Sequence, residues 1–201
     1  MQVDGNTLDN SRRVNLTKHL MKPTSDVHAV PTLLVSCGDG DQINNIIAVG
    51  WAGTLVSEPP VLAIGIRPSR YSYPLIQAAG EFVANVPTQE MLPEIDYCGT
   101  VSGRTADKFK ELGLTPVPAS KISVPLVGEC PISAECRVVR HLRMGTHGIF
   151  LGEIVALHID EGILDRKGNI DHHKVRMPLC AGGSYWAMGD LLGPFGSYIR
   201  K

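Results

Sequence analysis

Two long β-type segments meet at a short glycine turn, and little else in the chain limits the fold so sharply. Ile132, Ala134, Cys136 and Val138 alternate with Ser133, Glu135 and Arg137, the period of a strand with one buried face. Gly145-Thr146-His147-Gly148 reads as a hairpin turn, and Ile149 to Ile159 follows as a segment long enough to run through a barrel wall. Further strand signals lie upstream. Ala29 to Cys37 reads as a first strand ending in the turn residues Gly38-Asp39-Gly40-Asp41, Asn44 to Thr54 as a second, Val61 to Ile66 as a continuous buried strand, and Glu81 to Pro87 as the next. Glu58-Pro59-Pro60 is a sharp connection between two of them. The helical patterns between Val86 and Leu114, with Met91, Leu92, Ile95, Phe109 and Leu112 on one stripe, are short. Strands with hairpin links and only small helices predict a mainly β, antiparallel barrel rather than a βαβ array. No G-x-G-x-x-G follows the first strand, which argues against a Rossmann dinucleotide site.

The chain has 201 residues, 43% of them hydrophobic, enough to bury a full core in one domain. The expected organisation is a polar N-terminal extension over 1–28, a barrel domain over 29–175 and a glycine-rich, aromatic tail over 176–201. Tyr185 and Trp186 in that tail predict that it packs on the domain or on a partner subunit. Nineteen basic against twenty acidic residues give no global basic field, so neither nucleic acid nor anionic membrane is an expected partner. The absence of an apolar leader or a bilayer-length apolar run points to the cytoplasm. Five cysteines without a C-x-x-C pair argue against a disulfide framework and a standard zinc site, and His172-His173 reads as exposed loop; no metal is expected.

Two clusters carry the chemistry. Ser102-Gly103-Arg104-Thr105-Ala106-Asp107-Lys108 places hydroxyls, a glycine and two cations around a helix start, the equipment of a phosphate site, although Thr105 is also a plain N-cap candidate. Arg67-Pro68-Ser69-Arg70-Tyr71-Ser72 repeats that chemistry after the buried strand, with Ser72 as an expected N-cap. Two anion-ready turns in one small domain suggest one ligand. The small residues around Trp51 either let a planar ligand approach the backbone or mark a bend in the sheet. Asn85 lies among apolar residues and must find partners, and Cys98, just before the Ser-Gly-Arg turn, lines a site or packs in the core. Hydrolase motifs such as G-x-S-x-G and H-E-x-x-H are absent from the sequence.

In order along the chain, the Trp strand from Asn44 to Thr54, Glu-Pro-Pro, the Arg-x-x-Arg-Tyr-Ser turn, Phe-Val-Ala-Asn-Val-Pro, the Ser-Gly-Arg turn and Gly-Thr-His-Gly-Ile-Phe-Leu-Gly-Glu-Ile-Val resemble the flavin reductase-like family of FMN-binding split barrels. That family includes flavoredoxin and the reductase components of two-component monooxygenases. The resemblance spans roughly Val30 to Ile159. It implies an antiparallel Greek-key split β-barrel, a homodimer with FMN in a groove near the subunit interface, a redox protein or monooxygenase as partner, and NADH or NADPH as a reductant. It further implies that Arg67, Tyr71, Ser72, Ser102, Arg104 and Lys108 serve the phosphate or ring edge, with Cys98 beside them. Asn45 and Asn85 would make polar contacts, and the backbone of Val49, Gly50, Trp51, Ala52, Gly53 and Thr54 would face the ring. His147 falls where reductase members carry a His near the nicotinamide, though Thr146 stands where an Asp is common. The activities implied are an NAD(P)H-dependent flavin reductase, a flavoredoxin-like electron carrier, or a non-catalytic flavin-binding protein.

Overall fold

A computed structural model describes residues 17–199; most of the expected N-terminal extension, residues 1–16, lies outside the described part. Seven antiparallel strands form the body: β2 (Leu33–Gly38), β3 (Asn44–Val49), β4 (Ala52–Ser57), β5 (Pro60–Ile66), β6 (Glu81–Val86), β9 (Ile132–Met144) and β10 (His147–Ile159). Their order across the sheet is β3-β2-β6-β9-β10-β5-β4. The two end strands, β3 and β4, are consecutive in sequence and joined only by Gly50 and Trp51. The chain therefore turns a corner and brings the ends of the sheet together, producing a split barrel. The expected single strand over Asn44 to Thr54 is thus two strands paired to different neighbours. The Trp51 carbonyl accepts from Gly65 N–H at 2.7 Å. A Cβ on Gly65 would stand 3.2 Å from Trp51 Cβ, so glycine is what permits the corner to lie against β5.

Inward-facing residues fill the barrel: Val35, Ile47, Ile64, Phe82, Cys136 and Phe150 are all buried there, and helix α1 (Ser72–Ala79) adds Tyr73 and Ile76. Helices α2 (Leu92–Thr100) and α3 (Lys108–Leu112) cover the outer face of the β2–β3 hairpin, where Leu34 and Ile46 meet Ile95, Cys98 and Phe109. The extended crossing segment after Pro116 contains the small ladder β7 (Pro116–Val117) with β8 (Leu126–Val127). The β9–β10 hairpin closes on the pair Met144 and His147, so the turn is Gly145-Thr146 alone and His147 begins the strand.

Other expectations change. The predicted strand over Ala29 to Cys37 breaks at Thr32: Pro31 lacks an N–H and belongs to a separate edge strand, β1 (Val30–Pro31). β1 pairs with β11 (Pro178–Ala181), which pairs with β12 (Ser184–Ala187), so the glycine-rich tail is anchored to the start of the domain. Tyr185 Oη donates to Asp96 on α2, whereas Trp186 remains exposed. His172-His173 lies in a short helix, α4 (His172–Val175), capped by Asp171 rather than in a loop.

Two buried polar residues are fully used inside this body. Asn85 donates to Leu34 O and Ser36 Oγ and accepts from Val127 N and Ser133 Oγ, holding β6, β2, β9 and the crossing segment together. Glu135, on the outer face of β9, accepts from Ser120 N and Oγ, Lys121 N and Ile122 N, and pairs with His158 Nε2 at 2.5 Å. Burial alone would raise its pKa, but these donors outweigh burial and hold the carboxyl at about 2. A carboxyl depressed in the folded state stabilises above its unfolded value, and that stabilisation is lost as pH falls through the folded value. Glu135→Gln is therefore expected to flatten the loss of stability between the ordinary 4.5 and about 2, read from urea midpoints across that range. An acid limb identical to that of the parent chain would contradict the clamp.

Candidate functional site

The two basic turns sit on separate connections, β5 to α1 and α2 to α3, and the fold brings them face to face. The first is closed by Arg70 N–H to Arg67 O at 2.9 Å and the second by Thr105 N–H to Ser102 O at 3.1 Å. Arg104 bridges them: its Nη1 donates to Ser69 O at 3.2 Å and its guanidinium lies 5.4 Å from the centre of the Tyr71 ring. Between the turns is a cleft of about 350 Å³ lined by Arg67, Arg70, Ser102, Arg104 and Lys108, with Asn45 at its floor. No carboxylate lines it, and none of these four cations has a salt-bridge partner among the described residues.

Local structure corrects two capping roles and gives Lys108 a second one. Ser72 is the first residue of α1, not its cap; it is buried and its Oγ accepts from Asn45 Nδ2 at 2.8 Å. Thr105 caps nothing: α3 starts at Lys108 and its cap is Asp107, which accepts from Lys110 N–H. Lys108 is 2% exposed, and its ammonium donates to Ile46 O at 2.8 Å and Cys98 O at 2.9 Å. It fastens α2 and α3 to β3 and leaves one donor for the cleft. Burial lowers the Lys108 pKa and pushes the Cys98 thiol up to about 11, so Cys98 lines the cleft as a neutral group.

Asn45 is unlike the other buried amide. Its Nδ2 is used by Ser72, yet its Oδ1 is buried without a partner. A Cβ on Gly103 would collide with that oxygen and with the Tyr71 ring, so glycine keeps the space above the acceptor open. An unpaired buried carbonyl costs about 1–3 kcal/mol. The cost falls at the floor of a cationic cleft.

From this cleft the cavity continues along β3 past Ile47, Val49, Gly50, Arg67 and Arg70 to Trp51 and His147, about 390 Å³ more. Beyond Trp51 it opens onto a wider, mostly apolar part of about 590 Å³ that includes Val30, Ala52, Gly53, Leu55 and Ile149. Among the described residues no backbone carbonyl accepts from the N–H groups of Gly50 or Trp51. His147 stands at the edge of the Trp51 ring, 6.4 Å between centroids, and its Nδ1 is 2.9 Å from Thr146 Oγ1.

Most residues expected at the site therefore share one groove. Thr54, exposed on β4, lines no part of it, and Asn85 is removed from it because its amide is consumed inside the body. Arg70 and Gly103, present in the two turn motifs but not singled out, belong to the cleft. Burial, followed by the nearby Arg67 cation, lowers the His147 pKa. Arg67→Gln removes the second cause, so the His147 titration followed by NMR should move upward; an unmoved midpoint would separate the two groups electrostatically.

Comparison with known proteins agrees with this architecture. Residues 25–179 match the family model described as "Flavin reductase like domain". An uncharacterized protein of Archaeoglobus fulgidus is 39% identical over 127 residues, covering 63% of this chain and 71% of its own length. The solved structure of flavoredoxin from Desulfovibrio vulgaris (Miyazaki F) superposes with a TM-score of 0.84 at 34% identity, over 90% of this chain and 98% of that one. Flavoredoxin from Methanosarcina acetivorans gives 0.80 at 30% identity, over 90% and 97%. A split barrel with a cationic cleft running into an open backbone corner, matched over most of its length, belongs to the flavin reductase-like family.

Proposed function

We propose that this chain holds FMN in the groove and works, as a homodimer, as an NAD(P)H-dependent flavin oxidoreductase. The observation that carries the reading is the pairing, in one cleft, of a buried Asn45 Oδ1 beneath Gly103 with Arg67, Arg70 and Arg104, where among the described residues the oxygen has no hydrogen-bond partner and the arginines no carboxylate partner. These residues fit the cofactor. The arginines and Ser102 offer charge-assisted donors to its phosphate, Asn45 accepts from a hydroxyl, and the Gly50 and Trp51 N–H groups donate to the polar edge of its ring. FMN, when bound, accepts a hydride or passes single electrons, a chemistry that no side chain of this groove supplies. The protein contributes orientation, exclusion of water along β3 and a positive field that favours added negative charge. With its pKa lowered, His147 is neutral at pH 7 and serves as a hydrogen-bonding contact at the open side of the groove rather than as a charge.

A second reading, an electron carrier that exchanges electrons with a protein, draws support from the 34% identity to a flavoredoxin along 98% of that chain. On the first reading the electron acceptor is free flavin or a monooxygenase partner; on the second it is a redox protein.

The two separate in an anaerobic visible spectrum of FMN-loaded protein. Rapid bleaching by NADH or NADPH, slowed in His147→Ala with FMN retained, is the expected result. Bleaching only by dithionite or a reduced protein donor would replace the reductase with the carrier. For the cleft, Arg70→Ala combined with Arg104→Ala should weaken FMN binding by roughly a hundredfold, since two charge-assisted hydrogen bonds of about 1.5 kcal/mol each are lost. Fluorescence titration of FMN measures it, and unchanged affinity would remove the phosphate assignment.

A further inference from the structure

A second cavity, of about 500 Å³, shares a wall with the phosphate cleft. Tyr71, Gly103 and Arg104 line both, so the two spaces adjoin. The proposed function leaves this cavity unused, although its volume lies in the range of small-molecule sites.

The chemistry changes across Arg104. The cleft gathers four cations, whereas Arg104 is the only cation lining the cavity, and Asp41 and Asp107 stand there with no salt-bridge partner among the described residues. Asn44 adds a further acceptor: its Oδ1 is buried, and no described residue donates to it. Consecutive residues of β3 thus hold an unengaged acceptor at each space, Asn45 at the cleft and Asn44 at the cavity. An acceptor-rich space repels a second anion and suits a neutral group that carries N–H and O–H donors. The carboxylates are not gathered for a metal ion, since among the described residues no three His, Cys, Asp or Glu side chains converge. Tyr71 and Pro116 supply apolar surface for a planar ring. A nucleoside combines these features, with ribose hydroxyls, an exocyclic amine and a ring to stack. Its link to the cleft is a phosphate, and Arg104, common to both spaces, is the cation placed to hold it.

We propose that this cavity is a nucleoside subsite and that the groove takes its flavin as a dinucleotide, FAD. The flavin half lies as described above, Arg104 serves the pyrophosphate, and the adenosine donates to Asn44 Oδ1 and Asp41. The inference rests on flavin binding in the proposed function and extends it. The adenosine of a nicotinamide dinucleotide offers the same donors, but its nicotinamide belongs beside His147, in the part of the groove beyond the phosphate cleft.

Isothermal titration of the flavin-free full chain with FMN and with FAD provides the test, in the parent and in two variants. Asn44→Ala removes one acceptor, and Ala106→Phe fills the space from a half-buried position that lines the cavity and not the cleft. FAD is expected to bind the parent chain at least about tenfold more tightly than FMN, as one added hydrogen bond allows. Both variants should abolish that preference while FMN affinity, which also reports an intact fold, stays as it was. No preference for FAD in the parent, or a preference that survives both variants, would overturn the subsite and leave the FMN reading standing. A KM for NADH or NADPH that rises in the variants while FAD affinity holds would give the cavity to the nicotinamide dinucleotide and overturn the proposal for FAD. A chain that binds neither flavin would remove both the subsite and the proposed function.

Discussion

Everything at the site depends on a two-residue corner. Gly50 and Trp51 join the strands at opposite ends of a seven-stranded sheet, and this connection is what turns an open sheet into a split barrel. The corner is held by one backbone hydrogen bond to Gly65 and by the close approach that the missing Gly65 side chain allows. Because the chain leaves one ladder there before it enters the next, its N–H groups at Gly50 and Trp51 are not consumed by pairing. Closure of the barrel and provision of donors to the groove are the same event. The two basic turns then line one cleft with Asn45 and Ile47 of β3, on the connections that lead into α1 and out of α2.

The distribution of satisfied and unsatisfied polar groups separates structure from site. Glu135 and Asn85 are buried and every polar atom of their side chains is engaged, which fixes the crossing segment against the barrel. Asn45, equally buried, keeps an acceptor that no described residue engages, and it does so where four cations converge with no carboxylate among the described residues. Both arrangements cost stability in the isolated chain, the first through an unmade hydrogen bond and the second through mutual repulsion. A dianionic ligand with hydroxyl donors offsets both. Lys108 shows how closely the two functions are joined, since the same ammonium that pins α2 and α3 to β3 also faces the cleft.

Much of this was legible in the chain because hairpins are local. Gly38-Asp39-Gly40-Asp41, Glu58-Pro59-Pro60 and Gly145-Thr146 each sit between strands that pair with each other, so turn chemistry and alternation identify strand and partner together. What was not legible depends on distant pairing. The split of Asn44–Thr54 into two strands requires knowing that its halves face different neighbours, and the anchoring of the tail on β1 joins residues about 150 apart in sequence. The two asparagines make the same point at the site. Each lies in an apolar strand, and nothing local says that the Asn85 amide is engaged at both ends in the core whereas Asn45 faces a cleft. Capping was misplaced for a related reason: Ser72 and Thr105 have the right chemistry, but a bond from Asn45 and the later helix start at Lys108 decide their roles.

The central claim is that the cationic cleft exists to hold a phosphate attached to a flavin, and the most direct test compares two ligands that differ only in that group. Isothermal titration of the flavin-free chain with FMN and with riboflavin, at one ionic strength, isolates the contribution of the cleft. FMN should bind at least about a hundredfold more tightly, as expected for two or more charge-assisted hydrogen bonds. Equal affinity for the two flavins would show that the cleft does not read the phosphate, and the assignment of Arg67, Arg70 and Arg104 would fall with it.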